Sequence, residues 1–481
     1  MIHFLSFSKL FCLVSVLGLL GACSGIQPTQ RVELRVPPQW EAPLPHQGSV
    51  TALSQWWEGQ GDPVLVELIR TAQLVSPTVS AALTRVESAR AQQAASYARL
   101  LPSINAQTGV RRGVALPGAA LATRTDIGLG ASWELDLTGA NRAERSAAQG
   151  LLKGSEALWH DARVSVAAEV AQLYFGLEVC QQQADLARKD VQSSAETARL
   201  TALSTSAGFS AESDSAMAHA GASQSSSRLN QQEAQCELQV KGLVALSGIP
   251  ETELKRKVAF PKAVNRKIAQ FSIASLPVQV ISQRPDVFSA ERDVVWADAQ
   301  VGTARAARYP RLSLDGFISN VRLANSGASQ DFTLWSFGPL AMDLPLFDAG
   351  RRKAKVDFAQ AAYRDAVVAY QGKVRQAVRE VEEAMVSLSS TEARMTATQS
   401  AAAGYARVLT ATRARYSQGL ASLLEVEEAR RSSLTADNAL LLLSLEQRLA
   451  WISLYRAVGG GFTPEQAFTA VLHSPEPMKA P

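Results

Sequence analysis

Apolar and polar residues along the chain change period several times. From Asp126 to Leu137 they alternate. Ile127, Leu129, Ala131, Trp133, Leu135 and Leu137 share one face; Asp126, Gly128, Gly130, Ser132, Glu134 and Asp136 share the other. Leu340, Met342, Leu344 and Leu346 alternate in the same way with Ala341, Asp343 and Pro345. Elsewhere the period is helical. Val374, Val378, Val381, Met385 and Leu388 step by four and three without a slip, a heptad-like seam. Near the C-terminus Leu434, Asn438, Leu441, Leu445, Leu449, Ile452 and Tyr455 continue such steps, although a strict heptad would use Arg448 where Leu449 stands. From about Gly139 to Ser206, and from about Gly350 to Ser417, no proline interrupts the pattern. At 1.5 Å per residue each run predicts a helix of roughly 100 Å.

These elements occur twice. "SPTVSAALTRVESARAQ", from Ser76, and "RPDVFSAERDVVWADAQ", from Arg284, begin two similar units. Pro77 pairs with Pro285 and Pro102 with Pro310 at one offset, and "WELDLTG" from Trp133 answers "MDLPLFDAGRR" from Met342. Each unit reads as a helix (near Val64 to Arg99, and Asp286 to Arg308), two strands, a very long helix, a turn and a shorter helix. The turns share a pattern: Gly208, Ala211, Asp214 and Gly419, Ser422, Glu425. The predicted divisions are residues 61–270, with strands about 101–137 and a tip near Gly208, and 271–462, with strands about 310–347 and a tip near Gly419. An extended segment, 23–60, precedes them and a tail, 463–481, follows. The fold class is mainly α with a four-stranded β segment.

Strands that are polar on one face and apolar on the other suit an outer-membrane barrel, and equally a half-buried soluble sheet. Four strands are too few to close a barrel. Either they form a small sheet or several chains pool their strands. No apolar run after Ala22 approaches a spanning helix, so any crossing of a membrane falls to strands.

The first residues are read as a leader. Lys9 precedes an apolar run to Ala22 that is too short to span a bilayer, and it ends in Leu20-Gly21-Ala22-Cys23. This resembles a bacterial lipobox, which implies a signal peptide over 1–22 and lipid on Cys23, with Ser24 favouring outer-membrane sorting. The net charge is +4, nearly balanced, which argues against nucleic acid as the main partner. His3, His46, His160, His219 and His473 show no ligand spacing, and no metal, cofactor or catalytic motif is found. Trp56 and Trp57 are assigned to packing before a ligand platform.

The chain resembles the TolC-like outer-membrane efflux channels, in particular the OprM/NodT-like lipoprotein branch that serves resistance-nodulation-division pumps. The motifs are "WWEGQGDPVLVELI" from Trp56, "SPTVSAALTRVESARAQ", "WELDLTG", the run from "LPVQVISQRPDVF" to "ARYPRLSL", "PLFDAGRR", "RYSQGLASLLEVEEAR" and "LYRAVGGGF". The resemblance implies a homotrimer, a twelve-stranded barrel on an α-helical coiled-coil tunnel, and passive export of drugs or other toxic small molecules. It implies a periplasmic adaptor and an inner-membrane pump as partners, and no cofactor. It makes Gly208, Phe209, Gly419, Leu420 and Ser422 adaptor-binding tips, and Asp214, Tyr416, Glu425 and Glu428 the gate. Glu425 and Glu428, at i and i+3, would stack as carboxylate rings with some raised pKa values. A solvated face beside Arg430 and Arg431 is the plainer reading. Tyr416 and Asp214 match positions that hydrogen-bond across hairpins. The first tip departs from the family pattern at Ser204 to Ala207, and Ala421 stands where some members carry a latching arginine. A periplasmic adaptor lipoprotein is the alternative function, and a duplicated strand-strand-hairpin unit argues against it.

Of the four cysteines, Cys12 leaves with the leader and Cys23 takes lipid. Cys180 and Cys236 lie equally far from Gly208, four heptads on each side, and so at one height on a hairpin. In an oxidising periplasm this predicts a disulfide, with two buried thiols as the alternative.

Overall fold

The computed structural model describes residues 37, 39–42, 56–114, 121–259, 277–325 and 327–463. Cys23, the leader and the tail beyond residue 463 lie outside the described residues. The chain forms two compact units. One holds Thr84–Glu156 and Phe288–Lys373, and the other the remaining described residues.

The first unit is organised by a four-stranded antiparallel sheet in the order β1-β2-β3-β4, with β1 at Ser103–Gly113, β2 at Ala122–Leu135, β3 at Arg311–Asn325 and β4 at Ala328–Asp343. The register places Ala106, Leu129, Ile318 and Trp335 in one row, and Gln107, Gly128, Ser319 and Leu334 in the next. Successive rows therefore point to opposite faces. One face carries Ile104, Ile127, Leu129, Ile318, Trp335, Phe337, Leu340 and Met342, all exposed. The strands end sooner than the alternation suggested: Leu137, Leu344 and Leu346 lie beyond β2 and β4. Past the strands, aspartates take over the backbone. Asp136 accepts from the N–H groups of Asn141 and Arg142 at 3.3 and 3.0 Å, and Asp348 from those of Gly350 and Arg352 at 3.1 and 3.0 Å. These two pairs of bonds start the two long helices at similar points of the repeat.

The helices are α1 at Trp56–Gly59, α2 at Pro63–Val75, α3 at Pro77–Ala98, α4 at Ala140–Ser206, α5 at Glu212–Ser247, α6 at Glu251–Lys257, α7 at Pro277–Ser282, α8 at Pro285–Ala306, α9 at Arg351–Ser417 and α10 at Leu423–Ala457. The first helix of the repeat, expected as one piece, is two. Ser76 is extended, at φ −66° and ψ 123°, because the ring of Pro77 disfavours helix in the residue before it. Asp62 caps α2, accepting from Val64 N at 3.1 Å, and takes a 2.7 Å bond from the buried Tyr174 hydroxyl.

The core of the second unit contains Leu65, Leu68, Tyr174, Leu177, Leu243, Leu254, Met385, Ile452 and Leu454, all fully buried. Val374, Val381, Met385 and Leu388 are buried as the heptad reading of α9 requires, and Val378 packs beside them. Trp56 stacks on Tyr455 with ring centres 4.9 Å apart and Trp57 meets the same ring at 5.0 Å, so both tryptophans are packing groups. The reading of α10 needs correction. Leu449 is only partly buried, whereas Arg448 is buried and pairs with the buried Glu178 of α4 at 2.5 Å. Charge neutralisation lets the strict heptad position hold an arginine.

Candidate functional site: the two hairpin tips

Helices α4 and α5 form one hairpin, and α9 and α10 the other. The tips are built alike. Gly208 (φ +81°) and Gly419 (φ +72°) adopt the left-handed backbone that ends a helix. Phe209 N donates to Ser204 O at 2.9 Å, and Leu420 N to Arg415 O at 2.8 Å. These bonds close one last loop over each long helix. Phe209 and Leu420 then project into solvent, 87% and 69% exposed.

The acid six residues after each glycine has a structural task that the sequence reading missed. Glu425 folds back on Ser422, accepting from its N–H at 2.6 Å and its hydroxyl at 3.0 Å, while Ser422 Oγ accepts from Glu425 N at 3.2 Å. This is a capping box that starts α10. Asp214 does half of the same at α5, accepting from Ala211 N at 3.4 Å. The spacing of serine and glutamate carried the capping signal. The Ser422 bonds hold the Glu425 carboxyl below its usual range, with Arg415 assisting, so within one chain it shifts down rather than up. Glu428 is exposed and makes no ion pair among the described residues. Asp214 and Tyr416 line one cavity of about 960 Å³, but no hydrogen bond joins them within this chain.

Higher on the first hairpin Cys180 and Cys236 are joined sulfur to sulfur, with Cα atoms 5.6 Å apart and a sequence separation of 56. Gln232 donates to Cys180 Sγ at 3.2 Å. Between the hairpins, Arg430 of α10 pairs with Asp190 of α4 and with Glu427 of its own helix. Among the described residues no group of three His, Cys, Asp or Glu could hold a metal ion, and no helix is long and apolar enough to cross a membrane.

A duplicated unit of strand pair and long helical hairpin, with one sheet face apolar and exposed, has the build of a membrane-channel subunit. The chain belongs to the outer membrane efflux protein family, whose model matches residues 68–249 and 276–460. It is 29% identical to the outer membrane protein OprJ of Pseudomonas aeruginosa, over 94% of this chain and 96% of the relative. It is 27% identical to the solvent efflux pump outer membrane protein SrpC of Pseudomonas putida, over 93% and 97%. Among solved structures it resembles the outer-membrane channel OprN, with a TM-score of 0.79 and 25% identity over 92% of this chain and 99% of that one. It also resembles the open state of the MtrE channel of Neisseria gonorrhoeae, with a TM-score of 0.77 and 25% identity over 91% and 98%.

Proposed function

We propose that this chain is the outer-membrane channel of a tripartite efflux system, a passive duct for small toxic molecules. The observation that carries the reading is the sheet. Its strands are long enough to cross an outer membrane, one face is apolar and exposed, and β1 and β4 each pair on one side only. Such a sheet is complete when copies join edge to edge. Three copies supply twelve strands, so the working unit is a homotrimer. Cys23 carries lipid and adds an anchor in the same membrane. The exposed tips around Gly208, Phe209, Gly419, Leu420 and Ser422 meet a periplasmic adaptor, which links the duct to an inner-membrane resistance-nodulation-division pump. Glu428, with Tyr416, Asp214 and Glu425, lines the gate. No step makes or breaks a bond in the cargo, so no catalytic residue is assigned. Relatives include a solvent efflux protein and a pyoverdine export protein, so the family does not fix the cargo.

Planar bilayers test the reading. Protein purified from outer membranes should give discrete ion-conducting channels. A preparation that leaves the bilayer silent, and that salt alone strips from membranes, would refute it. Labelled palmitate should reach the wild-type chain and not Cys23→Ser.

A further inference from the structure

Three polar ties cross from the first hairpin to the second. Glu178 pairs with Arg448; Gln183 Nε2 donates to Asn438 Oδ1 at 2.6 Å; and a cluster forms from Asp190, Thr197, Glu427 and Arg430. The cluster lies nearest the tips. Its arginine side chain is 7% exposed and faces two carboxylates, Asp190 on α4 and Glu427 on α10. Arg430 Nε donates to Glu427 Oε2 at 3.0 Å, and the Thr197 hydroxyl donates to Glu427 Oε1 at 2.8 Å. One guanidinium thus bridges the hairpins, and a threonine fixes the acid on its far side.

On the tip side of Thr197, no hydrogen bond or ion pair joins the hairpins among the described residues. Polar side-chain contacts there stay within one hairpin. Thr205 meets Ser210 at 2.9 Å, and Arg415 Nη2 donates to Leu420 O at 3.0 Å. Between the hairpins in this region lies the cavity of about 960 Å³, with Leu200, Phe209 and Met217 on one side and Tyr416 and Leu424 on the other.

We propose that Arg430, with Asp190, Glu427 and Thr197, is the last fastening between the hairpins and the fulcrum about which the tips part during transport. The inference rests on the channel reading. Separating a charge cluster that is nearly closed to water leaves carboxylates without a partner, so this level resists opening. The segment beyond it has few ties and moves at low cost. From Thr197 to Ser206 that lever is about 14 Å long. The four residues position the gate; they need not touch cargo.

The test is single-channel recording of the full-length protein taken from outer membranes. Silent wild-type protein would defeat the channel reading itself. Given wild-type channels, Arg430→Gln should raise open probability by about tenfold. Thr197→Val removes one hydrogen bond and should raise it about threefold while leaving folding intact. Asn438→Ala breaks the tie on the other side of the cluster and should leave gating within about twofold of wild type, as a merely structural contact would. The fulcrum is overturned if Thr197→Val gates like wild type, or if Asn438→Ala opens the channel as much as Arg430→Gln.

Discussion

Replacing Arg448 by methionine isolates the contribution of a buried charge to a helical seam. The side chains of Arg448 and Glu178 are 9% and 4% exposed and meet at 2.5 Å. Arg448 also lies over the Phe175 ring, 5.1 Å from its centre. Removing one member of such a pair leaves the other charged in a dry place, which costs about 3–5 kcal/mol. Unfolding entropy is roughly 2.1 cal/mol/K per residue, so 481 residues give about 1 kcal/mol/K, and Tm should fall by roughly 3–5 °C. Glu178→Leu should do the same. The double variant Glu178→Leu with Arg448→Met places two apolar side chains together and should recover most of the loss. Thermal unfolding in detergent, followed by circular dichroism, measures all four proteins. If the two single losses add in the double variant, the charges are not coupled and the seam is held by something else.

His160 gives a pH test with a defined sign. Its Nε2 is buried, and burial, then Arg163, holds its pKa below the usual value, opposed by the backbone of Gly460 and Gly459, whose carbonyls favour the protonated ring. The unfolded chain therefore binds the extra proton first, so Tm should decline as pH falls below about 6.5, and His160→Leu should flatten that decline. For Glu425 the folded pKa is lowered, so its capping contribution is present above the unfolded value and lost as pH falls through the folded one. Protection of the first amides of α10 against hydrogen exchange, relative to their intrinsic rates, should fall in acid, and Glu425→Ala should show low protection already at neutral pH. On the exposed sheet face, Ile318→Arg should cost about 2–4 kcal/mol of membrane stability if the residue meets lipid, read as urea-induced loss of the folded band on unheated gels. Ser319→Arg, one row on and facing the other way, should be tolerated.

The sequence carries the fold through its periods. Alternation marks the strands, an uninterrupted helical period marks α4 and α9, and Gly208 and Gly419 mark where those helices turn back. Each signal is local, so one sequence displays it. Contacts between distant helices leave no such trace. Glu178 and Arg448 are 270 residues apart, and an apolar template passes over both. Arg430 reads as a solvated neighbour of Glu428 until α4 brings Asp190 against it. The tip acids were legible as a repeated pattern, but their capping task was hidden behind the family's gate. Ser422 and Glu425, three apart at a helix start, carried that information. The break before Pro77 was also visible, yet the helical period on either side of it masked the boundary.

The central claim is that this sheet is completed by other copies of the same chain. Native mass spectrometry of the protein extracted gently from outer membranes measures that directly. The account predicts a complex of three chains, each carrying lipid at Cys23. A species of one chain, folded and with its sheet face covered only by detergent, would contradict it.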